Sequence, residues 1–235
     1  MSRVTEAFRI LTRQERLRPL RSLYPPEAAD ADIQLIESVR PFTLLDRERL
    51  WFLRSAVAYV DRAALPGAIV ECGVWRGGAM LLAKSVSATQ RQFWLYDTFA
   101  GMSGGGEKDI SFDGRRHDET AVQTDDPLIS AKAVRKLFEG HGLDDDSLVI
   151  VEGPVEKTLS QQVPDQIAIL RLDTDFYAST KLELETLYPR LVSGGILIID
   201  DYGSWQGSRA ATDEYFGNAM PLLTPVRSSR ICIKL

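Results

Sequence analysis

Five short runs of this chain are apolar at nearly every position: residues 68–72, 92–96, 148–151, 167–172 and 196–199. None shows the alternation of a strand with one face in water, and helical stretches separate them. They read as strands of a mostly parallel sheet covered on both faces. After Asp46, suited to an N-cap, Leu50, Leu53, Val57 and Val60 recur at helical spacing until Pro66-Gly67 breaks the chain. Further helices are predicted over 77–86, 128–141 and 210–216. Thr180-x-x-Glu183 has the form of a capping box opening another, with Leu184, Leu187 and Leu191 on one side. Ser193-Gly194-Gly195 then turns the chain into the strand at 196–199, and two extended pieces near 222–226 and 230–234 close it. Residues 101–126 are polar and glycine-rich and have no period.

In open α/β sheets, ligand sites gather at the carboxyl ends of the strands. Here those ends are acidic. Glu71 and Gly73 stand at or after the first strand, Asp97 after the second and Glu152 after the third. Asp173 and Asp175 follow the fourth, Asp200 and Asp201 the fifth. The turn after the first strand has glycines at 73, 77 and 78, a spacing that is not G-x-G-x-x-G and counts against a dinucleotide. An acid just before Gly73 suits a ligand with an ammonium group, as the methionine part of S-adenosylmethionine has. Asp97, 24 residues after Gly73, can accept hydrogen bonds from both ribose hydroxyls, a role common to nicotinamide and S-adenosylmethionine sites.

If the fourth and fifth strands are neighbours, Asp173, Asp175, Asp200 and Asp201 converge on one crevice. Such a cluster repels itself and takes up protons unless a counter-charge is present. A divalent cation supplies one, and hard oxygen ligands suit Mg²⁺, Mn²⁺ or Ca²⁺ rather than zinc, for which no His/Cys spacing exists. Coordination would lower the pKa of a hydroxyl and fix its position for in-line attack on a sulfonium methyl, while a carboxylate takes the proton. Asp173 is the candidate for both ligand and base, Asp200 and Asp201 for the remaining ligands, and Asp175 for a supporting carboxylate.

The motifs Glu71-x-Gly73-Val74-Trp75-Arg76-Gly77-Gly78, Tyr96-Asp97-Thr98-Phe99-x-Gly101-Met102, Leu172-Asp173-x-Asp175-x-Tyr177 and Asp200-Asp201-Tyr202-Gly203 resemble those of the macrocin O-methyltransferase family. These class I methyltransferases act on sugar hydroxyls of bacterial natural products. The resemblance runs from about residue 46 to 216. It implies a Rossmann-like α/β sandwich with a seven-stranded, mostly parallel sheet whose last strand is antiparallel, plus N-terminal helices. It implies Mg²⁺ on Asp173, Asp200 and Asp201, with Asp173 also the general base. Asp97 would hold the ribose of S-adenosylmethionine, Glu71 and Gly73 would lie along its methionine end, and Val74, Trp75 and Thr98 would complete the cofactor contacts. Residues 1–45 then form a helical extension, 46–235 the catalytic domain, and 101–126 a lid over a hydroxylated acceptor. Cys72 stands where the family more often has Thr. Catechol or phenol acceptors, a nicotinamide oxidoreductase and a non-catalytic scaffold are the alternatives.

A formal net charge of −5 gives no electrostatic reason to expect nucleic acid or an anionic membrane as partner. Arginines gather between Arg3 and Arg21, but Glu6 and Glu15 interrupt them, as on a solvated helix face. Phe8, Leu11, Leu20 and Leu23 suit a docking face, for which the resemblance suggests a homodimer. Cys72 and Cys232, in apolar runs, read as buried thiols. No run is long enough to span a membrane and the first residues lack a signal peptide's apolar core, so a cytoplasmic protein is expected. His117 reads as a solvated loop residue and His141 as the complement of a helix C-terminus. Tyr177 and Trp205 could line the pocket or merely pack.

Overall fold

The computed structural model describes residues 20–101, 105–116 and 126–235. His117, Phe8 and Leu11 lie outside them, as do Gly104 and most of the N-terminal arginines. Seven strands form one sheet in the order β3-β2-β1-β4-β5-β7-β6. They are β1 (Ala68–Cys72), β2 (Phe93–Asp97), β3 (Leu148–Glu152), β4 (Ile167–Leu172), β5 (Leu191–Ile199), β6 (Thr224–Val226) and β7 (Ser229–Ile233). The first five pair parallel, and β7 runs antiparallel to both β5 and β6.

Helices cover both faces: α1 (Asp30–Val39), α2 (Arg47–Arg62), α3 (Gly78–Val86), α4 (Ala131–Gly140), α5 (Val155–Thr158), α6 (Tyr177–Leu187) and α7 (Gln206–Phe216). Asp46 caps α2 as expected, its side chain accepting from the Arg49 N–H. Ser130 caps α4 in the same way, and the ring of His141 reaches the Leu137 carbonyl at the end of α4. The core has two halves, one per sheet face. Ile69, Leu95, Ile169 and Ile198 pack with α1 to α4, while Val70, Tyr96, Leu170 and Ile199 pack with Leu184, Leu187 and Phe216 of α6 and α7. Ile33, Ile36 and Val39 place α1 in the first half. Cys72 and Cys232 are buried free thiols. Among the described residues, no helix is long and apolar enough to cross a membrane.

Two local expectations fail. Thr180 and Glu183 do not cap a helix: α6 already starts at Tyr177, and both residues are buried on its inner side. The Tyr177 N–H instead donates to Asp109, 68 residues earlier, so a distant carboxylate does the capping. Leu191 does not belong to the preceding helix but opens β5, pairing with Ile167, while Ile196 pairs with Ile169. Ser193-Gly194-Gly195 is therefore a bulge within β5 rather than a turn before it, with Gly194 at φ +82°.

Candidate active site

Side chains alternate across a strand, and this parity builds the site. In β1 Glu71 shares a face with Ile69, in β2 Asp97 with Leu95, and in β4 Arg171 with Ile169. Asp200, just past β5, follows Ile198. All these aliphatic residues belong to the half of the core under α1 to α4. The carboxyl ends of four strands thus turn their charged residues to one side, around a cavity of about 330 Å³ that Glu71, Asp97, Arg171, Asp173 and Asp200 help to line.

The glycine turn has a separate reason for each glycine. A Cβ on Gly73 would meet the Asp173 carbonyl oxygen at 2.0 Å, and φ there is +87°. The ends of β1 and β4 can therefore close on each other only without a side chain at this position. Gly77 takes φ +85° before α3, and a Cβ on Gly78 would meet the Phe42 backbone at 2.6 Å. Asp97 braces the same turn, one oxygen accepting from the Val74 and Trp75 N–H groups at 2.6 and 2.8 Å and the other from Phe99 at 2.7 Å.

Arg171 and Glu71 are register partners across β1 and β4 and form a fully buried pair at 2.5 Å. The same guanidinium stands 2.8 Å from Asp173 and 3.1 Å from Asp200. Arg49 of α2 reaches the other Asp200 oxygen at 2.6 Å, and Ser229 donates to Asp200 at 2.8 Å. Burial works to raise the Asp200 carboxyl, but Arg171 and Arg49 outweigh it and hold the group below the usual carboxylate range. Burial pushes Glu71 up to about 7 against the pull of Arg171.

Asp173, Asp175 and Asp201 have oxygens within 4.8 Å of one another. Burial, with the neighbouring carboxylates adding to it, drives Asp173 and Asp201 well above the ordinary range; Arg171 pulls Asp173 back only in part. Asp175, at φ +62°, is raised to about 7, again by burial first. Of the four acids expected to converge, the structure brings Asp173, Asp175 and Asp201 together and places Asp200 against two arginines.

Arg171, Arg49 and Asp109 escaped the sequence reading, and Glu183 was read as half of a capping box. Asp109 is buried, and its two oxygens accept from Tyr177 and Gly106, pinning the described part of the 101–126 segment to the start of α6. The Phe112 N–H donates to the Ser204 carbonyl and the Gln206 N–H to that of Ile110, tying the same stretch to the start of α7. Trp205 bridges to Ser111 in the same place, and Tyr177 carries Lys108 over its ring at 3.6 Å.

Glu183 lies wholly buried on the other face, against Thr174, and burial raises its pKa to about 8. A carboxyl group whose folded pKa exceeds its unfolded one contributes stability fully present below the unfolded value and lost as pH rises through the folded one. For Glu183 that window runs from about 4.5 to about 8. Glu183→Gln keeps a neutral partner for Thr174 and removes this contribution. In thermal unfolding of the ligand-free protein in EDTA, its midpoint should fall between about pH 5 and pH 8 by several degrees less than the wild type's. Parallel curves would mean that Glu183 carries no proton in the folded state.

The sheet order, with the antiparallel β7 beside β5, is that of the class I methyltransferases. Residues 32–228 match the Macrocin-O-methyltransferase (TylF) family, and the chain belongs to it. That match takes in most of α1 and all of β6 and so exceeds the stretch the motifs mark. The chain is 34% identical over 208 residues to the 8-demethyl-8-(2,3-dimethoxy-alpha-L-rhamnosyl)-tetracenomycin-C 4'-O-methyltransferase of Streptomyces olivaceus, covering 85% of this chain and 78% of the relative. It is also 34% identical over 179 residues to the demethyldecarbamoylnovobiocin O-methyltransferase of Streptomyces niveus, covering 74% and 67% of the two chains. The solved O-methyltransferase NovP matches with a TM-score of 0.72 at 31% identity, over 82% of each chain. The enzyme is an S-adenosylmethionine-dependent O-methyltransferase.

Proposed function

We propose that this enzyme methylates a sugar hydroxyl on a bacterial natural product and that a divalent cation, Mg²⁺ or Mn²⁺, works at the ends of β4 and β5. The observation that carries the reading is the meeting of Asp173, Asp175 and Asp201 within 4.8 Å on the cavity that Glu71 and Asp97 also line. The relative from Streptomyces olivaceus is named for a 4'-O-methylation of a rhamnosyl compound, which favours a sugar hydroxyl over a phenol.

The residues fit both groups. Glu71 Oε2 is buried without a hydrogen-bond partner, and such an acceptor calls for one; the ammonium of S-adenosylmethionine would supply it. Asp97 would take the ribose, Gly73 would leave room for the methionine end, and Val74, Trp75 and Thr98 would close around the cofactor. For the cation the donor set is carboxylate oxygen throughout; burial first, and then the neighbouring carboxylates, raise Asp173 and Asp201, and a bound cation would offset both. Asp173 and Asp201 would hold it, with Asp200 or Asp175 as the third acid; Asp200 must loosen its arginine contacts to serve. When bound, the cation supplies Lewis acidity that lowers the pKa of the acceptor hydroxyl.

Asp173 takes the hydroxyl proton. The oxygen then forms its bond to the methyl carbon as the carbon–sulfur bond breaks, leaving S-adenosylhomocysteine as a neutral thioether. Arg171 keeps Asp173 and Glu71 in fixed relation, so the two ends of the reaction share one support.

The test is calorimetric titration of S-adenosylhomocysteine with Mg²⁺ and with EDTA, followed by turnover on rhamnosylated aromatic polyketides. Affinity within about threefold in both conditions, with EDTA removing at least ~100-fold of the turnover, is the expected result. Turnover indifferent to EDTA would exclude the cation, and absence of binding would overturn the cofactor assignment.

A further inference from the structure

Glu183 sits two turns into α6 with no solvent exposure, and the chemistry above does not use it. Its neighbours Leu184 and Leu187 are apolar and fully buried, so a carboxyl group there is costly unless it has a task. Thr174 Oγ1 lies 3.0 and 3.2 Å from its two oxygens. The hydroxyl is the donor in both contacts, so its hydrogen is shared between the two carboxyl oxygens.

Thr174 stands between Asp173 and Asp175, on the turn that carries β4 into α6. The backbone on either side of it is held: the Asp173 N–H donates to the Cys72 carbonyl at 2.8 Å, and the Tyr177 N–H to Asp109 at 2.7 Å. Between them Asp175 adopts φ +62°, a conformation that costs a non-glycine residue energy and persists only where its surroundings impose it. Two side-chain contacts hold the stretch between them: the Asp175 N–H donates to Asp201 at 3.3 Å, and the Thr174 hydroxyl donates to Glu183, the contact that reaches into α6.

We propose that Glu183 is a positioning residue, fixing through Thr174 the turn that aims Asp173 and Asp175 at Asp201. Because Glu183 belongs to α6 itself, the bond ties the end of β4 to the helix that follows and sets the spacing of the acids without touching cofactor or acceptor. The inference rests on reading those acids as the reaction's cation-binding group.

The test compares wild type, Glu183→Gln, Glu183→Met, Thr174→Val and the double variant Glu183→Met/Thr174→Val. Each is crystallised with S-adenosylhomocysteine and titrated with Mn²⁺. Glu183→Gln should keep the bond to Thr174, the positive φ at Asp175 and the wild-type Mn²⁺ affinity. Glu183→Met and Thr174→Val should each release the turn and weaken Mn²⁺ by ~10-fold with S-adenosylhomocysteine affinity unchanged, and the double variant should be no worse than either. The proposal is overturned if the turn in Glu183→Met and Thr174→Val superposes on the wild type's, if Glu183→Gln releases it as fully as Glu183→Met, or if the two single effects multiply. A wild type that took up no Mn²⁺ would refute the cation reading instead, and the turn's conformation in the variants would still decide the role of Glu183.

Discussion

Asp173→Asn should lower methyl transfer by roughly three orders of magnitude and leave S-adenosylhomocysteine affinity within about threefold. The substitution is nearly isosteric, and the backbone bond from residue 173 to Cys72 does not depend on the side chain. An amide, however, cannot take the acceptor's proton and is a poor ligand for a hard cation. The end of the cavity proposed for the cofactor is formed by Gly73 and the turn that Asp97 braces, and those hydrogen bonds do not involve the Asp173 side chain. Single-turnover transfer of a labelled methyl group, run beside calorimetry, separates the two effects. A variant that binds S-adenosylhomocysteine normally and transfers at the wild-type rate would refute the assignment of Asp173 as base. Loss of binding and transfer together would point to a collapsed strand end instead.

The sheet was legible because a strand covered on both faces is apolar at nearly every position, as the cores of β1 to β5 are. That β4 and β5 are neighbours, the condition for their acids to meet, could be posed from the sequence and is met in the fold. What escaped depends on register. Glu71 and Arg171 are 100 residues apart, and nothing local says that they pair. A signal did exist: each is the charged residue inside its strand, and two lone opposite charges in buried strands need each other. Glu183 was misread because a Thr-x-x-Glu spacing looks the same whether it opens a helix or lies along its buried side. Asp109 escaped because it sits in a segment without periodicity, where only tertiary contact gives a residue its role. The glycine turn was read as a ligand cradle, and the structure adds that Gly73 is required by the approach of β4.

Arg171→Met should cost about 3–5 kcal/mol of folding stability, a large share of what a domain of this size possesses. The guanidinium is buried between Glu71, Asp173 and Asp200. Removing it leaves Glu71 without its cationic partner in a position with no solvent exposure, and among the described residues Arg49 alone remains to balance Asp200. The penalty is therefore that of stranded carboxylates rather than of a lost attraction, and it makes a sharper test possible. Replacing both members of the pair, Arg171→Met with Glu71→Gln, should recover a substantial part of the loss, because the stranded charge is then gone. Urea unfolding of the two single variants and the double variant measures this directly. If Arg171→Met unfolds at the wild-type midpoint, the buried network is not what holds the ends of β1, β4 and β5 together. If the double variant is as unstable as the sum of the singles, Arg171 acts by filling space rather than by charge. Partial recovery would show that Arg171 and Glu71 are coupled through their charges across β1 and β4.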